Sequence, residues 1–99
     1  MYECHITLLL KDKEVGERVA NELHWTTSEI ERDPVLGKAS YFYLTTHSNM
    51  WGDLHTKMDR TVDACRFLGA TVVREKIEAI IHDKRYDLEI KSSSSNRQV

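Results

Sequence analysis

His5 and Thr7 stand two residues apart in the segment Tyr2-Glu3-Cys4-His5-Ile6-Thr7-Leu8-Leu9-Leu10. Imidazole is the side chain whose unperturbed pKa lies near neutrality, so His5 can give or take a proton close to pH 7. A hydroxyl two residues further on can hold an oxygen of the same ligand. Tyr41 and Tyr43 repeat this spacing, and so do Arg74 and Lys76. Tyrosine rings offer flat stacking surfaces with a hydrogen-bonding tip. Lysine and arginine neutralise an anion, and arginine does so with a two-pronged fork. Two residues is the period of a strand, so the members of each pair share one face. Brought together, these six side chains would suit a small anionic ligand, nucleotide-like or otherwise phosphorylated.

The elements that must position them follow from the same periodicity. Tyr2 to Leu10 reads as a strand with Tyr2, Cys4, Ile6, Leu8 and Leu10 on one face and Glu3, His5, Thr7 and Leu9 on the other. Asp12 is placed to cap a helix over about Lys13 to His24, in which Val15, Val19 and Leu23 form an apolar stripe. Gly16 weakens that helix slightly. Trp25 to Glu31 is rich in β-branched and aromatic residues and predicts a second strand. Asp33-Pro34 and Gly37 predict a turn, and Ala39 to His47 a third strand. Phe42 and Leu44 take one face of it; Tyr41, Tyr43, Thr45 and His47 take the other.

Ser48 or Asn49 is placed to cap a long second helix reaching Leu68, with Leu54, Met58, Val62, Cys65 and Leu68 inward and Gly69 as its C-terminal cap. Ala70 to His82 predicts a fourth strand. Its alternation puts Val73, Ile77, Ala79 and Ile81 on one face and Val72, Arg74, Lys76, Glu78 and Ile80 on the other. Glu75 falls on the apolar face, which points to a bulge or a paired carboxylate. Tyr86 to Lys91 predicts a short edge strand.

The order strand, helix, strand, strand, helix, strand predicts an α+β two-layer sandwich. Its simplest arrangement is ferredoxin-like βαββαβ, an antiparallel sheet with two helices on one face. Strands one and three then lie in the centre, with strand four beside one and strand two beside three.

Composition sets outer limits. A chain of 99 residues, 40% hydrophobic and 30% charged, reads as one globular domain over 1–91 with a polar, disordered, serine-rich tail over 92–99. A net charge of −2 is too small to attract nucleic acid or a membrane surface without a local basic patch, and disfavours both partners. Cys4 and Cys65 form no C-x-x-C pair and fall on apolar faces, so free thiols and a cytoplasmic location are expected. No basic leader region and no membrane-length apolar run is present. Of the possible ligands Cys4, His5, His47, Asp53, His55 and His82, Asp53 and His55 are two apart on a helix and face different ways, and no pair among the six has good helical spacing, so no metal and no cofactor is expected. Trp25 and Trp51 read as packing anchors, with Trp51 also available to an oligomer contact.

His5-Ile6-Thr7 and His24-Trp25-Thr26 resemble the H-x-T elements of the 2H phosphoesterases. In that family two such elements face each other across a cleft, each histidine serving as acid or base and each hydroxyl holding a phosphate oxygen. The resemblance covers six residues and implies phosphodiester chemistry at His5 and Thr7. Ala39-Ser40-Tyr41-Phe42-Tyr43-Leu44 resembles the central strand of an RNA-recognition motif, implying base stacking on Tyr41 and Tyr43. Ala39 and Ser40 stand where that motif has a basic residue and glycine.

No glycine-rich phosphate loop and no nucleophile with an adjacent base is identifiable, and the reading leans away from an enzyme. The residues point to a small binding module, expected to be a homo-oligomer and most simply a dimer, with His5, Thr7, Tyr41, Tyr43, Arg74 and Lys76 as its ligand site. Two further readings of the open face stand beside it: a homodimer surface, in a homo-oligomeric structural or protein-interaction domain, and a plain solvated face.

Overall fold

A computed structural model describes residues 1–30, 35–36 and 40–81 of the chain. Strand β1 (Tyr2–Leu9) leads through a 3-10 turn (Leu10–Asp12) into helix α1 (Lys13–Leu23). Strand β2 (Thr26–Ile30), strand β3 (Tyr41–Ser48), helix α2 (Trp51–Phe67) and strand β4 (Val72–Ala79) follow. The sheet is antiparallel in the order β2-β3-β1-β4. This is the expected α+β sandwich of ferredoxin-like type, with β1 and β3 central. The edge strand expected over 86–91, the tail over 92–99 and the Asp33-Pro34 turn lie outside the described residues.

One side of the sheet is closed by the helices. Cys4, Ile6 and Leu8 of β1 and Phe42 and Leu44 of β3 meet Val19 and Ala20 of α1 and Leu54, Met58, Val62 and Cys65 of α2. The inward residues of α2 recur at three- and four-residue steps, which keeps them on one stripe. Gly16 has a packing role. A Cβ there would come within 2.7 Å of the Phe42 ring, so α1 can lie this close to β3 only with glycine at that point. Trp25 is buried as expected, and its indole N–H donates to Thr61 Oγ1 at 3.0 Å. Thr61 in turn donates to the carbonyl of Lys57 at 2.7 Å. Trp51 is half exposed and stacks on His55, with ring centroids 4.8 Å apart, so it does not anchor the core.

The caps differ from expectation. Asp12 makes no side-chain cap on α1; its Oδ2 accepts the backbone N–H of Thr71 at 2.9 Å and ties the entry of β4 to the end of β1. Ser48 and Asn49 do not cap α2 either. The helix starts after Met50 with no side-chain cap, and Ser48 Oγ accepts the Met50 N–H instead. His24 ends α1 in the left-handed region at φ 64°, and Gly69 follows α2 at φ +90°, the conformation expected of it.

The irregularity expected around Glu75 is present, on its N-terminal side. Thr7 pairs with Arg74 but Leu8 pairs with Val72, so Val73 is the extra residue of a bulge. The bulge corrects the expected faces of two residues. Val72 packs against the core instead of joining Arg74, while Val73 is partly exposed. Because the shift lies before Arg74, the alternation of Arg74, Lys76 and Glu78 is preserved. Glu75 stays exposed at the edge.

Candidate functional site on the open sheet face

The register sorts the uncovered face into cross-strand rows, successive rows being two residues apart along each strand. The first row is Glu78, Glu3 and His47. The second is Lys76, His5, Thr45 and Thr26. The third is Arg74, Thr7, Tyr43 and Ser28, and the last is Leu9, Tyr41 and Ile30. At about 3.3 Å per strand residue, neighbouring rows lie about 7 Å apart.

The second and third rows enclose a half-open concavity of about 240 Å³. His5, Lys76 and Thr45 line one side, Thr7, Arg74, Tyr43 and Ser28 the other, and Ile30 supplies an apolar wall. Five of the six residues expected at the site are therefore brought together. Tyr41 is the sixth, and it does not line the concavity. It is 6% exposed, its ring tilts 56° from that of Tyr43 at 6.4 Å, and its hydroxyl donates to the carbonyl of Leu36 at 3.3 Å. Ser28, Ile30 and Thr45 complete the lining. Period-two reading of 26–30 could have found Ser28 and Ile30, once β2 was placed beside β3.

Two features of the concavity are chemically open. Arg74 has no carboxylate within ion-pair distance among the described residues. Thr7, its cross-strand neighbour, is 2% exposed, and its hydroxyl has no hydrogen-bond partner among the described residues. A buried hydroxyl and a partly buried guanidinium both cost free energy when left without partners. An oxyanion between them would satisfy both.

The neighbouring row is self-paired. His5 Nε2 lies 2.9 Å from Glu3 Oε1 and 3.4 Å from Glu78 Oε1, while its Nδ1 lies 3.0 Å from Thr45 Oγ1. His47 Nε2 reaches the second Glu3 oxygen at 2.6 Å. Lys76 Nζ is 3.7 Å from Glu78 Oε1. Partial burial pushes the Glu3 carboxyl up, but the hydrogen bonds to His5 and His47 and their charge outweigh it, and the net pKa is below the ordinary carboxylate value.

The two H-x-T elements are not assembled into one cleft. His5 and Thr7 line the concavity, whereas His24 ends α1 and is absent from its lining. Of the two tyrosines expected to stack bases, Tyr43 alone reaches it. Both thiols are buried and free. Burial, reinforced at Cys4 by the Glu75 charge, pushes Cys4 up to about 12, and burial alone pushes Cys65 up to about 11. Neither is poised as a nucleophile at neutral pH. Among the described residues no helix is long and apolar enough to cross a membrane.

No family model matches the chain, and no curated protein matches it. Among solved structures it is similar to a "putative antibiotic biosynthesis monooxygenase" from Deinococcus radiodurans. The two are 18% identical over 88% of this chain and 97% of that one, with a TM-score of 0.47. A likeness of this degree bears on neither substrate nor activity.

Proposed function

We propose that the protein is a non-catalytic binding module that takes a small anionic, phosphate-bearing ligand in the concavity of the open face. The observation that carries this reading is the Arg74 guanidinium, with no carboxylate at ion-pair distance, beside the buried Thr7 hydroxyl, with no hydrogen-bond partner, both among the described residues. Arg74 supplies a planar fork for two oxyanion oxygens, and Thr7 donates to one of them. Lys76 and His5 add positive charge or hydrogen bonds from the next row. Tyr43 and Ile30 flank the site with a ring face and an apolar wall. The volume is below the roughly 300–1,000 Å³ of sites that engulf a whole drug-sized ligand. It suits a phosphate group and the sugar or small ring attached to it, with a nucleobase lying outward along Tyr43.

Calorimetric titration with a nucleoside monophosphate, and separately with inorganic phosphate, tests this. Arg74→Ala should weaken both by at least about tenfold, a lost charge-assisted hydrogen bond being worth about 1.5–3 kcal/mol. Its thermal midpoint should stay where it was. Equal affinity in Arg74→Ala, or no binding at millimolar ligand, would sink the reading.

One observation favours a second role for the same face. Strand β2 is exposed along its whole length, on both of its faces. An edge strand of this kind can join another chain, so the open face together with β2 would form a homodimer surface. Tyr43→Asp would then dissociate the protein with no ligand involved. Native mass spectrometry reads the oligomer and any bound ligand together.

A further inference from the structure

We propose that Glu3, His5 and Glu78 form a binding site for a divalent transition-metal ion of the zinc or cobalt type, with His47 and Thr45 holding the ligands in place. The three side chains come from two neighbouring strands, and their donor atoms all lie within 4.8 Å of one another. Metal–nitrogen and metal–oxygen bonds of about 2.0–2.2 Å, at tetrahedral or octahedral angles, put neighbouring donors about 2.9–3.6 Å apart. His5 Nε2 is 2.9 Å from Glu3 Oε1 and 3.4 Å from Glu78 Oε1. The ion would therefore sit between the imidazole Nε2 and the carboxylate oxygens, at spacings those donors already hold.

The surrounding contacts are those a metal ligand set needs. A coordinating histidine is fixed by what its other ring nitrogen donates to. His5 Nδ1 lies 3.0 Å from Thr45 Oγ1, which can accept that N–H. Glu3 is oriented through its second oxygen, 2.6 Å from His47 Nε2. The sheet also places Glu3 and Glu78 directly opposite each other. Like charges so paired destabilise a sheet, and a cation between them removes the penalty. Glu3 and His5 are mostly buried and Glu78 is half exposed, so one side of the ion would remain open to water. Lys76, 3.7 Å from the same Glu78 oxygen, is the competing cation.

The site shares His5 and the neighbouring Lys76 with the anion reading, but its carboxylates Glu3 and Glu78 lie two rows from Arg74, so substitutions at Glu78 and at Arg74 let the two fail separately. The full-length chain, stripped of metal and held in a phosphate-free buffer near neutral pH, is titrated with Zn²⁺ by calorimetry and with Co²⁺ by visible absorption. One ion per chain is expected, with Co²⁺ bands of a nitrogen–oxygen site. Glu78→Gln and His5→Gln should each weaken binding by about a hundredfold and His47→Ala by about tenfold, in line with losses at ligand and supporting positions. Lys76→Gln should tighten it, and Arg74→Ala should leave it unchanged. Far-UV circular dichroism of metal-free Glu78→Gln checks the fold. An affinity weaker than about 1 mM would overturn the proposal. So would Zn²⁺ binding that survives Glu78→Gln undiminished, which would put the ion elsewhere, for example at His55 and Asp59, whose side chains lie 3.5 Å apart one turn along α2.

Discussion

The two faces of β1 are built from one stretch of chain and meet opposite fates. Toward the helices, Cys4, Ile6 and Leu8 are fully buried in an apolar layer. Toward the open side, Glu3, His5 and Thr7 stand among charges and hydroxyls of β3 and β4. Thr7 is almost as buried as its neighbours, at 2% exposure, yet its hydroxyl has no partner among the described residues. Burial on the first face is satisfied by packing alone. On the second it leaves polar groups wanting a partner. The difference teaches where to look for function: in the places where burial and hydrogen bonding do not agree.

Substitutions on each face should break or sharpen that contrast. The largest effect is expected on the closed side. Leu8→Ala should cost about 3 kcal/mol of unfolding free energy, within the range for deleting a buried leucine side chain, and leave phosphate affinity intact in whatever fraction stays folded. Chemical denaturation with a parallel ligand titration reads both. Gly16→Val should follow at about 2 kcal/mol, because the new side chain enters the Phe42 ring and overpacking costs about 1–3 kcal/mol. A near-neutral result there would mean α1 can slide away from β3.

Thr7→Val inverts the sign. Replacing a buried hydroxyl that has no partner among the described residues by a methyl of the same shape should raise stability by about 1 kcal/mol, while weakening phosphate binding. Loss of stability in that variant would show that Thr7 is already satisfied, and would erase the contrast between the two faces.

The smallest effect is an alkaline one. The folded-state pKa values of Cys4 and Cys65 are raised to about 12 and about 11. A raised folded pKa stabilises the fold fully below the unfolded thiol value and loses that contribution as pH climbs toward the folded one. The thermal midpoint should therefore fall as pH rises from about 8.5, the ordinary thiol value. Cys4→Ala should show a shallower fall than the parent chain. Identical slopes would mean the thiols ionise in the folded state. For the same reason a thiol reagent should label neither cysteine at neutral pH until the protein unfolds.

Much of the fold is legible in the residues. Alternation over 2–9 and 41–48 separates an apolar from a polar face without any partner strand, because side chains alternate whatever the strand pairs with. The stripes of α1 and α2 require one covering layer, and two helices between four strands leave few sheet orders. Those facts already place His5, Thr7, Tyr43, Arg74 and Lys76 on a common face.

Tertiary structure decided the rest. Tyr41 has the same face and type as Tyr43, but it is buried and its hydroxyl donates to Leu36, five residues back in the chain. The bulge at Val73 was visible only as the misfit of Glu75. Where it fell, before Arg74 instead of after it, depends on the pairing of β4 with β1. Asp12 looks like a helix cap, yet its carboxylate finds a backbone N–H 59 residues away. The grouping of Glu3 and His5 with His47 and Glu78 needs three strands in register at once. Local sequence determines which way a side chain faces, because the backbone period is a property of the chain itself. Which groups meet across the sheet, and which are left without a partner, is set by register, and register is a property of the whole fold.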